Sequence, residues 1–289
     1  MQTVADARAW ANEELKRAQK GSPLLSADLL LAFVLGWDRV RVLSHVEESV
    51  PEEAWRRFRD LVLRHARGSP LQYLTGQQEF YGLVFAVGPG VLIPRPETEI
   101  LVERTIGLIR SRTLPATRFL DLGTGSGCIA ISVTHEVSFA YGCGMDVSEP
   151  ALRIARLNAI RHGVAERVLL IRSNLLDCFP RTPAFDFIFC NPPYVAFKDY
   201  DSLPPEVRDH EPHLALFGGP SGVDFYRKMI PEVPSRLFPE GYLLLEIGAG
   251  QAEMVRQLVE AEGLFIETVL GDLQGIPRCL VARKPRRSY

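Results

Sequence analysis

Three glycines alternating with two hydroxyl residues constrain the fold of this chain more than any other feature: Gly123, Thr124, Gly125, Ser126 and Gly127, here called the glycine loop. The apolar run at residues 118–122 predicts a buried strand in front of it, and residues 128–132 favour the start of a helix behind it. Glycines at such a junction let the backbone turn sharply and approach a ligand closely. The spacing is G-x-G-x-G rather than the G-x-G-x-x-G of dinucleotide-binding proteins, which weakens an NAD interpretation.

The rest of the second half of the chain alternates between strand and helix patterns. Strands are predicted at residues 118–122, 139–145, 168–171, 185–190, 241–247, 264–270 and 278–282, and the main helices between them at 148–162, 223–237 and 249–262. This alternation predicts an α/β fold with a mostly parallel, Rossmann-like sheet of seven strands covered by helices on both faces. Residues 271–277 are too short for a parallel crossover, so the last two strands should pair antiparallel.

Asp146 follows the second predicted strand, about twenty residues beyond the glycine loop. An acid at that place can accept hydrogen bonds from both hydroxyls of a ribose. The alternative is that Asp146 caps the following helix, although Ser148 could supply that cap instead. With the glycine loop in front of it, the ribose interpretation is favoured.

The second candidate site is the tetrapeptide Asn191-Pro192-Pro193-Tyr194, here called the NPPY loop, which follows the predicted strand at 185–190. Ligands of open α/β sheets bind at the carboxyl ends of the strands. The prolines stiffen the loop, asparagine offers an acceptor beside a donor, and tyrosine adds a flat face with one hydroxyl. Such a loop can hold a planar group bearing an NH2, although a proline-rich turn that merely closes a strand is the alternative.

The chain divides into three predicted parts. Residues 1–76 read as a bundle of short helices without a catalytic constellation, and partner docking and a structural cap explain the bundle equally well. Residues 77–93 change to strand periodicity around the turn at 88–90 and predict a β-hairpin connector. Residues 94–289 form the predicted catalytic domain. Its basic end, residues 284–287, is interpreted as a solvated tail.

Composition restricts the partners. Lys and Arg (33) are fewer than Asp and Glu (35), and the net charge of −2 argues against a broad basic surface for nucleic acid. No apolar run is long enough to span a bilayer, and the N-terminus lacks a signal-peptide pattern. Five scattered cysteines predict reduced thiols, and no residue spacing predicts a metal site. We therefore expect a cytoplasmic monomer that binds neither DNA, membrane nor metal.

With these motifs in place, the sequence resembles the HemK/PrmC family, the peptide chain release factor glutamine methyltransferases. The resemblance covers nearly the whole chain and is closest over residues 73–283. It rests on the glycine loop, the NPPY loop, Y-L-T-G at 73–76, E-F-Y-G at 79–82, L-I-P-R-P-E-T-E at 92–99, Glu211-Pro212 with Ala215-Leu216, and Glu246-Ile247-Gly248 with Gln251. The NPPY loop is shared with adenine-N6 DNA methyltransferases, so the stretch at 92–99 is what narrows the choice.

The resemblance implies a class I methyltransferase domain behind an N-terminal helical domain that docks the substrate protein. The implied reaction moves a methyl group from S-adenosyl-L-methionine to the glutamine amide nitrogen in the Gly-Gly-Gln motif of class 1 release factors, in translation termination. The glycine loop would line the methionine and ribose moieties, and Asp146 would hold the ribose hydroxyls. The family often has an aromatic residue beside the adenine where Leu175 stands, and more often aspartate in place of Asn174.

For the chemistry, the resemblance and the properties of the residues point to the NPPY loop. Asn191 and Tyr194 are the predicted catalytic residues, Pro192 and Pro193 complete the substrate contact, and Asn191 also borders the cofactor. Arg95, Glu97 and Thr98 are expected near the cofactor, without a defined contact.

Three alternatives remain open from the sequence. A DNA adenine-N6 methyltransferase would need a target-recognition domain and a basic groove, neither of which is evident. A non-catalytic, S-adenosylmethionine-binding module of translation is disfavoured by the intact NPPY loop. A dinucleotide-dependent redox enzyme is disfavoured by the glycine spacing.

Overall fold

The computed structural model describes residues 2–286, which form two compact units. The first unit comprises the chain up to Gln77 together with Pro204–His210. The second unit comprises Gln78–Leu203 and the chain from Glu211 onwards. A short excursion of the chain after the NPPY loop therefore belongs to the first unit.

The first unit is helical. Its elements are β1 (Gln2–Thr3), α1 (Val4–Arg17), α2 (Pro23–Leu35), α3 (Arg39–Ser44), β2 (Ser49–Val50), α4 (Glu52–Ala66) and α5 (Leu71–Thr75). Asp38 caps α3, since its carboxylate accepts the backbone N–H of Arg41 at 2.7 Å. Ser22 precedes Pro23, but its side chain makes no capping hydrogen bond. The antiparallel pairing of β1 with β2 was not predicted from the sequence.

A hairpin follows, formed by β3 (Gln77–Phe80) and β4 (Leu83–Ala86), which make a separate two-stranded sheet. Tyr81 and Gly82 turn the chain with φ values of +51° and +70°. Positive φ at both central positions gives the turn that suits the twist of paired strands. The predicted connector hairpin is present, and it ends at Ala86, ahead of the turn at residues 88–90.

The second unit is built on one seven-stranded sheet. After a 3-10 turn (Pro96–Thr98) come α6 (Glu99–Arg110), β5 (Thr117–Leu122), α7 (Cys128–Glu136), β6 (Ala140–Asp146), α8 (Glu149–Arg161), β7 (Val168–Arg172) and β8 (Phe185–Cys190). Then follow α9 (Pro205–His210, in the first unit), α10 (His213–Leu216), α11 (Asp224–Met229), β9 (Leu237–Glu246), α12 (Ala252–Ala261), β10 (Phe265–Gly271) and β11 (Pro277–Arg283). The strand order is β10-β11-β9-β8-β5-β6-β7.

The pairing of these strands confirms the predicted architecture. Strands β5 to β9 are mutually parallel, and β11 runs antiparallel to both β9 and β10. The helix predicted over residues 223–237 is much shorter, because α11 ends at Met229 and continues only as a 3-10 turn to Glu232. Pro231 and Pro234 lack the N–H groups that an α-helix would need there. Leu237 already belongs to β9.

Alternate side chains of the strands fill two cores, one on each face of the sheet. In β8, Phe187 and Phe189 enter one core, while Ile188 and Cys190 enter the other. Both faces of a parallel sheet are covered in this way by helices, so its strands are apolar throughout. The consequence for function is that the carboxyl ends of β5, β6 and β8 are held rigidly side by side.

The basic end of the chain is anchored where it can be described. Lys284 donates from Nζ to the backbone oxygens of Pro234 and Leu237 at 2.6 and 2.8 Å. The interpretation of residues 284–287 as a solvated tail is therefore wrong for Lys284, and Arg287 lies outside the described residues. None of the helices within residues 2–286 is long and apolar enough to cross a bilayer.

Candidate active site

The glycine loop begins immediately after β5 and turns into α7. All three glycines have positive φ, between +56° and +81°, and such values favour glycine because an L side chain is strained there. Gly127 also has no room for a side chain, since an added Cβ would lie 2.7 Å from Cδ1 of Ile131. The backbone N–H of Thr124 donates to Met145 O at 2.8 Å, which ties the loop to the end of β6.

Asp146 is the last residue of β6 and lies next to the glycine loop. One carboxylate oxygen accepts the N–H of Gly125 at 2.9 Å and the other accepts the N–H of Ser148 at 2.8 Å. Burial raises the pKa of Asp146. Ser148 caps α8, accepting the N–H of Ala151 at 3.3 Å. The cap that the sequence offered as an alternative role for Asp146 is thus supplied by Ser148.

A buried carboxylate supports the glycine loop from below. Asp121, at the end of β5, is completely buried and accepts the hydroxyl of Thr124 at 2.7 Å and the N–H of Ala130 at 3.3 Å, both on Oδ2. Among the residues that the structure describes, no donor lies within hydrogen-bond distance of Oδ1. Burial raises the pKa of Asp121 to about 7.

The NPPY loop is fixed from its far side. Gln251 donates from Nε2 to the carbonyl oxygens of Tyr194 (2.9 Å) and Gly222 (3.2 Å). An added Cβ on Gly222 would lie 2.5 Å from Tyr194 O, so only glycine allows this close approach. The loop is therefore held by contacts with residues far along the chain rather than by its prolines alone.

A chain of hydrogen bonds, partly exposed at its end and buried at Glu246, ends on the Asn191 side chain. Asn191 donates from Nδ2 to Oγ1 of Thr98 at 3.1 Å, and Thr98 donates to Oε2 of Glu246 at 2.6 Å. The hydroxyl of Tyr194 donates to the other carboxylate oxygen, Oε1, at 3.4 Å. Burial raises the pKa of Glu246 to about 7 and, together with the charge of Glu246, that of Tyr194 well above its usual value.

The stretch at 92–99 is clamped by another buried carboxylate, that of Glu211. Glu211 accepts the backbone N–H of Ile93 at 3.0 Å and forms an ion pair with the guanidinium of Arg95. Glu211 is only 4% exposed, so the pair is shielded from solvent on that side. This clamp gives a defined contact to Arg95, which the sequence analysis placed near the cofactor without one, and to Glu211, which it named only in a family motif.

These elements surround one cleft of about 330 Å³. Of the predicted site residues, the following line it: Gly123, Gly125, Asp146, Leu175, Asn191 and Pro193. Five others are not among its lining residues: Thr124, Ser126, Gly127, Pro192 and Tyr194. Leu175 has a φ of +46°, unusual for a residue other than glycine. Apolar side chains that the sequence did not single out, such as Phe217 and Phe225, complete the lining.

Sequence reasoning missed a residue that joins the connector to the glycine loop. Asn158, buried on α8, donates to the carbonyls of Ala86 (3.0 Å) and Ser126 (2.9 Å) and accepts the N–H of Ala86 at 2.7 Å. A polar residue on the buried face of an amphipathic helix was the only available signal. No group of three or more potential metal ligands is gathered anywhere in residues 2–286.

Comparison with known proteins gives the class first. The family model described as methyltransferase small domain matches residues 99–203. The structure is similar to the crystal structure of a methyltransferase from Pyrococcus furiosus, with a TM-score of 0.53 and 18% identity, covering 71% of this chain and 91% of that one. The sheet, with its cleft at the carboxyl ends of the parallel strands, is the fold of class I S-adenosylmethionine-dependent methyltransferases.

Sequence relatives then give the family. The model of the PrmC N-terminal domain matches residues 6–76. Two proteins called release factor glutamine methyltransferase, from Koribacter versatilis and Cereibacter sphaeroides, are 40% and 41% identical to this chain over 283 residues. Each match covers 98% of this chain and 99% of the relative. This chain belongs to the release factor glutamine methyltransferase family.

Proposed function

We propose that this protein methylates the side-chain amide nitrogen of the glutamine in the Gly-Gly-Gln motif of class 1 release factors, using S-adenosyl-L-methionine. The observation that carries the proposal is that Asn191 and the glycine loop border the same cleft. That arrangement occurs in a chain about 40% identical, over nearly its whole length, to release factor glutamine methyltransferases. An amide-binding loop and a nucleoside-binding loop around one cleft are what a transfer to an amide nitrogen requires.

The cleft suits the methyl donor. Gly123 and Gly125 present backbone without side chains, and Leu175 adds an apolar wall. The Asp146 oxygens each accept one backbone N–H, and a carboxylate has further lone pairs that can accept two ribose hydroxyls. We assign cofactor binding to the glycine loop, Asp146, Leu175 and Asn191. When bound there, S-adenosylmethionine supplies the electrophilic methyl group.

Asn191 and Pro192 are proposed to orient the substrate amide. A carboxamide nitrogen is a poor nucleophile because its lone pair is delocalised into the carbonyl. The Asn191 side-chain oxygen and the Pro192 carbonyl would accept the two N–H bonds of the substrate glutamine, which aims the lone pair and favours the developing positive charge. The nitrogen becomes strongly acidic on methylation and loses a proton to an acceptor of the loop or to water, so no dedicated base is needed.

Tyr194 and Pro193 complete the proposed substrate contact. Pro193 lines the cleft, whereas the Tyr194 hydroxyl faces Glu246. We predict that Tyr194 packs on the plane of the substrate amide or forms a hydrogen bond with it. Its hydrogen bond to a buried carboxylate holds the ring in one orientation, as a catalytic contact would require.

The remaining assignments concern partners. We propose that the helical unit, matched by the PrmC N-terminal domain model, docks the release factor. We further propose that the enzyme acts as a monomer in the cytoplasm, where release factors work, and that it does not bind DNA. The near balance of 33 basic and 35 acidic residues is consistent with a protein substrate rather than a nucleic acid.

Peptide mass spectrometry tests the reaction and the substrate together. A purified release factor is incubated with the enzyme and S-adenosylmethionine, beside a release factor whose Gly-Gly-Gln glutamine is replaced by alanine. We expect one methyl group on that glutamine and none on the control. Absence of methylation by an enzyme that binds the cofactor would refute the proposed substrate, and methylation of duplex DNA would favour the rival class.

The role of Asn191 is tested by Asn191→Ala. We expect the turnover number to fall by at least about 100-fold, because the orienting acceptor is lost, while S-adenosylmethionine binding measured by calorimetry largely survives. Gln257→Ala removes a comparable amide from the exposed face of α12, where the Gln257 side chain donates to Glu253, and should leave turnover unchanged. Turnover of Asn191→Ala close to that of the wild type would contradict the assignment.

A further inference from the structure

The polarity of the hydrogen bonds behind Asn191 can be worked out from its partners. Thr98 lies in the 3-10 turn ahead of α6 and is 2% exposed, and Glu246 ends β9 and is also 2% exposed. An ionised carboxylate can only accept hydrogen bonds. A threonine hydroxyl has one proton to donate, and with Glu246 ionised that proton goes to Oε2 of Glu246 at 2.6 Å.

The direction of the Thr98–Glu246 hydrogen bond determines which end of the Asn191 amide faces Thr98. Once its proton is committed to Glu246, Oγ1 of Thr98 can only accept from the asparagine side chain. The group that faces Thr98 at 3.1 Å must therefore be the NH2 of Asn191. The amide oxygen then points the other way, and Asn191 borders the cleft. Without Thr98, either end of the asparagine amide could face the cleft.

We propose that Thr98 and Glu246 are positioning residues that hold the Asn191 amide with its oxygen turned toward the substrate glutamine. This inference rests on the proposed function in one respect only, namely the identity of the substrate. A reversed Asn191 amide would present N–H donors to the N–H donors of the substrate and would orient nothing. The hydrogen-bonded series Glu246–Thr98–Asn191, here called the relay, thus fixes which of two nearly isosteric orientations the Asn191 amide adopts.

Protonation of Glu246 can reverse the direction of the hydrogen bonds in the relay. Several titratable groups face Glu246 from the elements packed around it: Glu97, Tyr194, Tyr226, Arg278, Cys128, Cys190 and Cys279. The pKa of Glu246 is raised to about 7: burial is the largest cause and the charge of Glu97 adds to it, while the Thr98 hydrogen bond and Arg278 oppose the shift. When Glu246 is protonated it can donate to Thr98, which frees the Thr98 proton for the Asn191 oxygen and allows the amide to reverse.

Nuclear magnetic resonance tests the relay without reference to activity. The chain has four asparagines, Asn12, Asn158, Asn174 and Asn191, so asparagine labelled with ¹⁵N in the side chain gives four NH2 signals, and Asn191→Ala assigns the relevant one. In the wild type we expect the Asn191 NH2 signals to shift with pH, with a midpoint near the pKa of Glu246. In Thr98→Val the shift should disappear.

A matched control exists on the next helix. Thr105 is also fully buried, and its hydroxyl donates to the backbone oxygen of Leu101 at 2.8 Å. Thr105→Val therefore makes the same exchange of hydroxyl for methyl outside the relay and should preserve the pH response of Asn191. An Asn191 signal that titrates equally in Thr98→Val and in the wild type would overturn the proposal.

Kinetics supply the second readout. Thr98→Val should lower the turnover number roughly 10- to 100-fold, since a misoriented catalytic group costs about that much, with little change in cofactor affinity. Thr98→Ser keeps the hydroxyl and should restore most of the rate. Glu246→Gln removes the obligate acceptor and should abolish the pH response of the Asn191 signals and lower turnover.

The outcomes separate the two proposals. An enzyme that does not methylate the Gly-Gly-Gln glutamine but shows the relay-dependent Asn191 signal would refute the substrate and support the relay. An active enzyme whose Thr98→Val variant keeps full turnover would refute the relay and leave the substrate assignment intact.

Discussion

Replacing Asp121 with asparagine should make the stability difference between variant and wild type depend on pH. As the pH rises, the free energy of unfolding of Asp121→Asn should increase relative to that of the wild type. Asp121 is completely buried beneath the glycine loop, and Oδ2 accepts both of its hydrogen bonds, from Thr124 and Ala130. Burial raises its pKa from 3.8 to about 7. Ionising this side chain therefore costs the folded state free energy that the unfolded chain does not lose.

The magnitude follows from the shift of about three pKa units. At 1.36 kcal/mol per unit, the penalty is about 4 kcal/mol once the pH exceeds 7. It is absent below about pH 3, where folded and unfolded chains both hold the proton, and it is roughly 1–2 kcal/mol at pH 5. The Asp121→Asn variant should thus gain about 3 kcal/mol on the wild type between pH 5 and pH 8.5. The unpaired N–H of the new amide adds a cost of about 1–2 kcal/mol that does not vary with pH.

Urea unfolding followed by circular dichroism at pH 5 and pH 8.5 measures this difference directly. The exposed Asp201 provides the control, since Asp201→Asn removes a carboxylate that remains in water and should show no comparable gain. A free-energy difference between Asp121→Asn and the wild type that is the same at both pH values would refute the reasoning, because the buried charge would then carry no penalty.

Two further predictions concern the residues that support the site. Gly222→Ala would place a Cβ 2.5 Å from the Tyr194 carbonyl oxygen, so it should displace the NPPY loop and reduce turnover more than 10-fold. Gly275→Ala, at a similar positive φ with open space around it, should leave turnover near normal, and an equal loss in both variants would contradict the steric argument. Asn158→Ala should lower the free energy of unfolding by about 2–4 kcal/mol, because buried backbone groups, including Ser126 O, lose their hydrogen-bond partner. It should also weaken cofactor binding measured by calorimetry, and unchanged binding would show that the glycine loop keeps its shape without Asn158.

The positions of the two loops could be predicted because their signals are local. The apolar run of β8 directly precedes the NPPY loop, and that of β5 directly precedes the glycine loop, so each loop is placed at a strand end by its immediate neighbours. The antiparallel pairing of β10 with β11 likewise followed from the shortness of the connection. The helix predicted over residues 223–237 was wrong in length for an equally local reason, since the two prolines within its apolar pattern were given too little weight.

The roles of the supporting residues could not be predicted in this way. Tyr194 carries the appearance of a cleft residue in the sequence, yet it does not line the cleft, and its hydroxyl faces Glu246. Glu211 entered the sequence analysis only as part of a family motif, yet it clamps Ile93 and Arg95, more than a hundred positions earlier in the chain. Nothing in the spacing of such residues records which of them will meet.

By itself, therefore, the sequence determined the α/β class, the strand ends that carry the two loops, and through its motifs the family. Those properties depend on short-range patterns of hydrophobicity and turn formation, which neighbouring residues decide. Only the tertiary structure decided that Thr98 and Glu246, 148 positions apart, meet behind Asn191. Burial at that meeting point removes water from the carboxylate and raises its pKa to about 7. The protonation state of Glu246 then decides whether it accepts a hydrogen bond from Thr98 or donates one.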